Sequence, residues 1–290
     1  MNILILGSNG MLGSSLMSYF NQIDNKVLAV SRSNNKYTNN DFFKIDFLDK
    51  NCDSKLKSLR SFFNPDVVIN CAGITSLEYC EKFPHEADLA NGEINSRIKK
   101  TFNDSKIIYV STDSVFDGEV GNYNEDSKKN PLNKYAESKS LGEDIILEAN
   151  NSIVLRTNIY GLGKGANNSL LNWAADNFKK NISIKGFDDY IFNPVHLIQV
   201  GEGIKKLIER DYKGIIHFGS KEHLSKYDFL KLTKNYFVDS KSEIKKVSSE
   251  LPKDGILRPK NTTLDCNLFK TKFNYEFSII DGLNKIIWDN

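Results

Sequence analysis

The chain opens Met1-Asn2-Ile3-Leu4-Ile5-Leu6-Gly7-Ser8-Asn9-Gly10-Met11-Leu12-Gly13, an apolar run that meets glycines at the spacing G-x-x-G-x-x-G. The run predicts a buried strand, the glycines a tight turn, and the segment from Met11 to Phe20 a helix. Glycines at such a turn let the backbone bend sharply and approach a pyrophosphate, whose charge sits among the unpaired N–H groups at the helix N-terminus. A dinucleotide site is therefore expected at Gly7, Asn9, Gly10, Met11, Leu12 and Gly13. The opening run has no basic flank and is too short for a signal peptide or a membrane span, so a cytoplasmic location is expected.

Beyond this stretch, short apolar runs alternate with helix-length segments. Ile3 to Leu6, Val27 to Val30, Phe42 to Ile45, Val67 to Asn70, Ile107 to Val110 and Ile153 to Leu155 read as buried strands, with a helix such as Ser54 to Phe63 between them. That alternation implies right-handed βαβ crossovers and an α/β fold built on a doubly wound, mostly parallel sheet. After Tyr160 the pattern loosens. Gly161, Gly163 and Gly165 punctuate the chain, and amphipathic helices follow around Leu170 to Phe178 and Tyr227 to Phe237. Residues 1–160 are thus expected to form the sheet domain and 161–290 mainly a smaller lobe, with Ile215 to Phe218 a strand that returns to the sheet.

The charge balance limits the partners. Lys and Arg total 39 against 37 Asp and Glu, a net charge of +2. General nucleic-acid or anionic-membrane binding normally needs a large basic excess, so neither is expected. The cysteines, Cys52, Cys71, Cys80 and Cys266, contain no Cys-x-x-Cys pair and read as small core residues rather than metal ligands.

Where the second strand ends, Val30-Ser31-Arg32-Ser33 offers no acid for a ribose 2′-hydroxyl. Ser31 and Arg32 can instead hold a 2′-phosphate by charge-assisted hydrogen bonds, making NADPH the expected cofactor with NADH left open. Asp46 and Phe47 are placed to border an adenine ring, and Cys71, Ala72 and Gly73 are small enough for a cofactor to pass. Further on, Tyr135 and Lys139 stand four apart, on one face of a helix. A nearby ammonium favours tyrosinate, so Lys139 is expected to lower the Tyr135 phenol's pKa. Ser111-Thr112-Asp113, at the end of the fifth strand, supplies a hydroxyl for the substrate oxygen that Tyr135 would protonate.

These motifs in this order resemble the extended short-chain dehydrogenase/reductases with a Rossmann-type sheet, and more narrowly the dTDP-4-dehydrorhamnose reductase family. The resemblance rests on Ile3 to Gly13, Val68 to Gly73, YVSTDSVFDG (109–118), NPLNKYAESKSLGE (130–143), VLRTNIYG (154–161) and RPKNTTLDCNLFK (258–270). It implies a catalytic set of Thr112, Tyr135 and Lys139, with Tyr135 and Lys139 also at the cofactor. It implies substrate contacts at Thr112, Asp113, Ser114, Asn158 and Arg258, the last pairing with a diphosphate. The implied activity is NAD(P)-dependent reduction of the 4-keto group of a nucleotide-diphosphate deoxysugar, in surface polysaccharide or glycan synthesis. A homodimer is left open.

Two departures from the family pattern bear on the sugar. Ser114 stands where the family usually has tyrosine, and Arg156-Thr157-Asn158-Ile159-Tyr160-Gly161 is shorter than R-T-S-W-V-Y-G and lacks its tryptophan. A different sugar or C4 configuration becomes plausible. A 4,6-dehydratase would show a second carboxylate after Asp113, which Ser114 does not supply. A combined epimerase–reductase would need a cysteine/histidine pair; Cys80 and His85 lie in a helical-looking stretch and read as chance placement. His196 and His217 read as satisfied core residues. A 4-epimerase uses the same Thr/Tyr/Lys set and stays open, as does a non-catalytic NADP- and nucleotide-sugar-binding regulatory subunit.

Overall fold

The computed structural model describes residues 1–34, 41–162, 169–250, 252 and 254–286. Gly163 and Gly165 lie outside the described residues. Six strands, β1 (Asn2–Leu6), β2 (Lys26–Ser31), β3 (Phe42–Lys44), β4 (Val67–Asn70), β5 (Lys106–Val110) and β6 (Ser152–Thr157), join the Gly214–Phe218 strand in one sheet. All pair in parallel, in the order Gly214–Phe218, β6, β5, β4, β1, β2, β3. This is a Rossmann-type sheet, and the expected return of Ile215 to Phe218 is met by its pairing with β6, Phe218 opposite Thr157.

Both faces of the sheet are covered, which is why its strands read as continuous apolar runs rather than alternating ones. Successive residues still point to opposite faces. Ile3 and Ile5 pack with Leu16, Phe20, Val200 and Ile204, from the Met11–Gln22 and Leu197–Glu209 helices. Leu4 and Leu6 pack with Leu56, Ile98 and Ile146, from the Cys52–Phe63, Ile94–Thr101 and Lys134–Leu147 helices. Residues beyond 160 therefore supply both an edge strand and a covering helix to the sheet.

Smaller apolar clusters organise the rest. Tyr160, Leu171, Phe192, Phe229 and Leu283 form one, and Phe178, Ile184, Leu230 and Phe237 another. Ser169 and Ser225 cap the Leu170–Lys179 and Lys226–Lys234 helices through Asn172 N–H (3.1 Å) and Asp228 N–H (3.0 Å). The second helix stops at Lys234, short of the expected Phe237, which lies in the turn that follows. Short strands absent from the sequence reading also occur here, among them Ile184–Phe187, Ile191–Phe192 and Leu224–Ser225.

Candidate active site

The strand order reverses between β1 and β4, and the loops after β1 to β4 enclose a cleft of about 540 Å³ at the carboxyl ends of the strands. Gly7, Asn9 and Gly10 line it beside Ser31 and Arg32; Asp46 and Phe47 form one wall, and Cys71, Ala72 and Gly73 another. Gly7 has φ +83°, and a Cβ there would lie 2.7 Å from Ala72 N, so only glycine permits the two loops to approach this closely. Asn9 Nδ2 donates to Ser31 Oγ (2.7 Å) and Ser33 Oγ (2.8 Å), tying the glycine loop to the end of β2.

The cleft suits a dinucleotide on its own polar atoms. Among the described residues no side chain caps the Met11–Gln22 helix, and the buried Asn9 Oδ1 and Ser8 Oγ have no partner. Met11, Leu12 and Gly13, expected at the dinucleotide, stand in the first turn of the helix and do not line the cleft. Met11 and Leu12 pack with the core, and a Cβ on Gly13 would lie 2.2 Å from Gly7 O, so Gly13 serves the packing of the loop on its helix. What these positions offer an anion is the first turn's N–H groups.

The residues expected to react follow β5 and open the Lys134–Leu147 helix, with Lys139 in electrostatic reach of Cys71 in the cleft wall. Asn133 caps the Lys134–Leu147 helix through Ala136 N–H (3.0 Å), which fixes Tyr135 in the first turn and Lys139 one turn later. Lys139 is 6% exposed; its Nζ donates to Val110 O at 2.7 Å and lies 4.1 Å from the Tyr109 ring centroid. Burial pulls its pKa down to about 8. The Tyr135 phenol is pushed up to about 12, also by burial, and the group that favours its ionised form is the Thr112 hydroxyl. The expected acidification of Tyr135 by Lys139 is thus not found among these residues. Helical spacing put the two on one face, but the ammonium reaches to β5 and the Tyr109 ring instead.

Thr112 and Asp113 follow β5. Asp113 is 2% exposed and gathers four side-chain donors: Thr262 (2.5 Å), Asn158 (2.9 Å), Thr112 (3.1 Å) and Ser114 (3.3 Å). Burial raises its pKa and those hydrogen bonds oppose the rise. Thr112, Asp113, Ser114 and Asn158, expected at the substrate, are therefore one bonded cluster, joined by Thr262, which the sequence reading did not single out. Arg258 stands apart from it: its guanidinium is held by Asp254 (2.6 and 3.1 Å), with Glu78 at 3.5 Å. Beneath Thr112, Ser111 Oγ donates to buried Glu143 (2.5 Å), which pairs with buried Arg156 (2.8 Å); Arg156 also meets His217 (3.4 Å). Charged residues within buried stretches were the available signal for that pair. His217 is fully buried and bonded as expected, whereas Nδ1 of buried His196 has no partner among the described residues. Cys52 and Cys80 are core residues as read; Cys71 lines the cleft, its thiol pushed up to about 12 by burial. Among the described residues no cluster fits a metal ion, and no helix is long and apolar enough to cross a membrane.

Known proteins of similar sequence and structure agree with this architecture. A dTDP-4-dehydrorhamnose reductase of Bacillus anthracis in complex with NADP is 25% identical, with a TM-score of 0.85 over 98% of this chain and 97% of that one. A hypothetical dTDP-4-dehydrorhamnose reductase of Sulfolobus tokodaii is 28% identical, with a TM-score of 0.82 over 97% and 99%. By sequence, the probable low-salt glycan biosynthesis reductase Agl14 of Haloferax volcanii is 27% identical over 79% of this chain and 78% of that protein. Methionine adenosyltransferase 2 subunit beta of Xenopus tropicalis is 28% identical over 98% and 86%. A sequence model of the RmlD substrate binding domain matches residues 1–289, and the chain belongs to that family, within the extended short-chain dehydrogenase/reductases.

Proposed function

We propose that this protein is an NADPH-dependent reductase of the 4-keto group of a nucleotide-activated deoxysugar, acting in glycan or surface polysaccharide synthesis. The observation that carries the reading is a glycine-lined cleft where the strand order reverses, with Tyr135 against Thr112 and Lys139 on the Val110 carbonyl just before Thr112. The NADP complex of the Bacillus anthracis relative and the glycan reductase of Haloferax volcanii support it. In this reading the first-turn N–H groups after Gly10 would hold the pyrophosphate, and Arg32 and Ser31 would meet the 2′-phosphate. Bound NADPH supplies the hydride.

The protein's own part is to hold and protonate the ketone oxygen. The Thr112 hydroxyl, which here donates to Asp113, would turn to donate to it, and Tyr135 gives up the phenolic proton as the carbonyl becomes an alcohol. A phenol with a pKa near 12 is protonated at neutral pH, so it is in the state that a proton donor needs. Lys139, whose ammonium sits on the Val110 carbonyl rather than on Tyr135, would hydrogen-bond the nicotinamide ribose. Asp113 keeps Thr112 and Asn158 in register with the C-terminal segment.

A second reading, a regulatory subunit that binds the same ligands without turnover, draws on the likeness to methionine adenosyltransferase 2 subunit beta. The retained Thr112, Tyr135 and Lys139 favour the enzyme. Purified protein with NADPH and a panel of 4-keto nucleotide sugars decides between them. Stoichiometric loss of nicotinamide absorbance with alcohol formation supports the reductase. Binding without turnover supports the subunit, and sugar inversion without net NADPH consumption supports a 4-epimerase.

A further inference from the structure

The strand Ile191–Phe192 has a neighbour on each side. Leu224–Ser225 pairs with it antiparallel, with Lys226 N–H on Tyr190 O (2.9 Å). On the other side Ile191 N–H meets Lys260 O (2.7 Å) and Thr262 N–H meets Ile191 O (3.1 Å). These three segments form a small patch, and Thr262 fastens it to Asp113 and so to Thr112.

Three cations stand on that patch. Lys260 is paired with Asp189 at 2.8 Å, and Arg258 is clasped by Asp254. Lys226 is different: among the described residues no carboxylate lies within ion-pairing distance of its Nζ, which sits 4.9 Å from the Tyr190 ring centroid. The ring holds the half-buried ammonium in place without neutralising it. Burial lowers the Lys226 pKa, the Asp113 carboxylate works against that, and Arg258 adds to it. Lys226 is therefore a half-buried charge without an ion pair among the described residues, in electrostatic reach of both Asp113 and Arg258.

We propose that Lys226, seated on Tyr190, is the residue that receives the diphosphate of a sugar nucleotide, at the phosphate nearer the sugar, while Arg258 stays paired with Asp254. This rests on the sugar-nucleotide reading above. With a net charge of +2 the protein has no general field to draw in a polyanion, so a half-buried cation with no ion pair among the described residues is what such a ligand needs. One charge-assisted contact to phosphate corresponds to about a 30-fold change in affinity, or about 2 kcal/mol at 1.4 kcal/mol per tenfold.

The test is calorimetric titration of the full chain, saturated with NADP⁺, using dTDP-glucose, UDP-glucose, UDP-glucuronic acid and dTDP. Lys226→Met is expected to weaken all four by about 30-fold, Lys226→Arg by threefold or less, and Arg258→Ala by less than Lys226→Met. NADP⁺ affinity, titrated separately, stays within twofold in each variant and shows that the fold is intact. Wild-type affinity in Lys226→Met overturns the assignment, as does a loss confined to UDP-glucuronic acid, which would make Lys226 a reader of a sugar carboxylate. Failure of the unsubstituted protein to bind any of the four overturns the sugar-nucleotide reading itself, and the Lys226 assignment with it.

Discussion

Replacing Glu143 by glutamine keeps the shape of the side chain and removes its charge. In the native protein Glu143 is 0% exposed; its carboxylate accepts from Ser111 Oγ at 2.5 Å and from Arg156 at 2.8, 3.0 and 3.2 Å. Arg156 is 2% exposed, so Glu143→Gln strands a guanidinium that water cannot reach. Removing one partner of a buried ion pair costs about 3–5 kcal/mol, a large share of the roughly 5–15 kcal/mol that holds a typical protein folded. At about 2 °C per kcal/mol for a chain of this size, the melting temperature should fall by roughly 6–10 °C. Scanning calorimetry and urea unfolding measure the loss directly. The double variant Glu143→Leu/Arg156→Met removes both charges and should recover most of it, giving a coupling energy well above 1 kcal/mol. A loss below about 1 kcal/mol for Glu143→Gln, or a double variant no more stable than the single one, would refute the reasoning.

Three further outcomes are expected. Tyr135→Phe removes the proton donor alone, so turnover should fall by about 100-fold or more with NADPH affinity within twofold; unchanged turnover would remove Tyr135 from the mechanism. Arg32→Ala should weaken NADPH binding by about tenfold or more and leave NADH within twofold, by fluorescence titration; equal losses would show that Arg32 does not read the 2′-phosphate. Lys139, with its pKa pulled down to about 8, is charged at pH 7 and mostly neutral above pH 9. The rate of reduction should therefore drop on the alkaline side with an apparent pKa near 8, and Lys139→Met should be slow with that limb absent; the same limb in both proteins would assign it to another group.

The sheet and the cleft were legible because their signals are local. Strands buried on both faces must be apolar throughout, and a turn that brings Gly7 against Ala72 accepts only glycine, so Ile3 to Gly13 carries its meaning without the rest of the chain. The set Thr112, Tyr135 and Lys139 was legible by motif, though not its electrostatics. Whether an ammonium at Lys139 meets the Tyr135 phenol or the Val110 carbonyl depends on the depth of β5 beneath the helix, which spacing does not encode. The substrate side was the least readable. Two-residue strands such as Ile191–Phe192 leave no periodicity, and Lys226 acquires its setting only when Tyr190 and Thr262 are brought beside it from distant parts of the chain. Arg258 illustrates the reverse case: its motif was visible, but which carboxylate holds its guanidinium depends on the turn that brings Asp254 against it.

The late position of the Gly214–Phe218 strand has a consequence for how the chain is made. Until that strand has left the ribosome, β6 is the open edge of the sheet, a row of unpaired backbone groups bearing Ile153, Val154 and Leu155. Arg156 waits there as well, without the His217 contact that helps to seal it. A nascent chain, or a fragment that ends at Tyr160, would carry the whole cofactor cleft and still present a sticky, half-finished edge. Aggregation of truncated forms, and slow folding limited by this long-range pairing, follow from where one five-residue strand sits in the sequence.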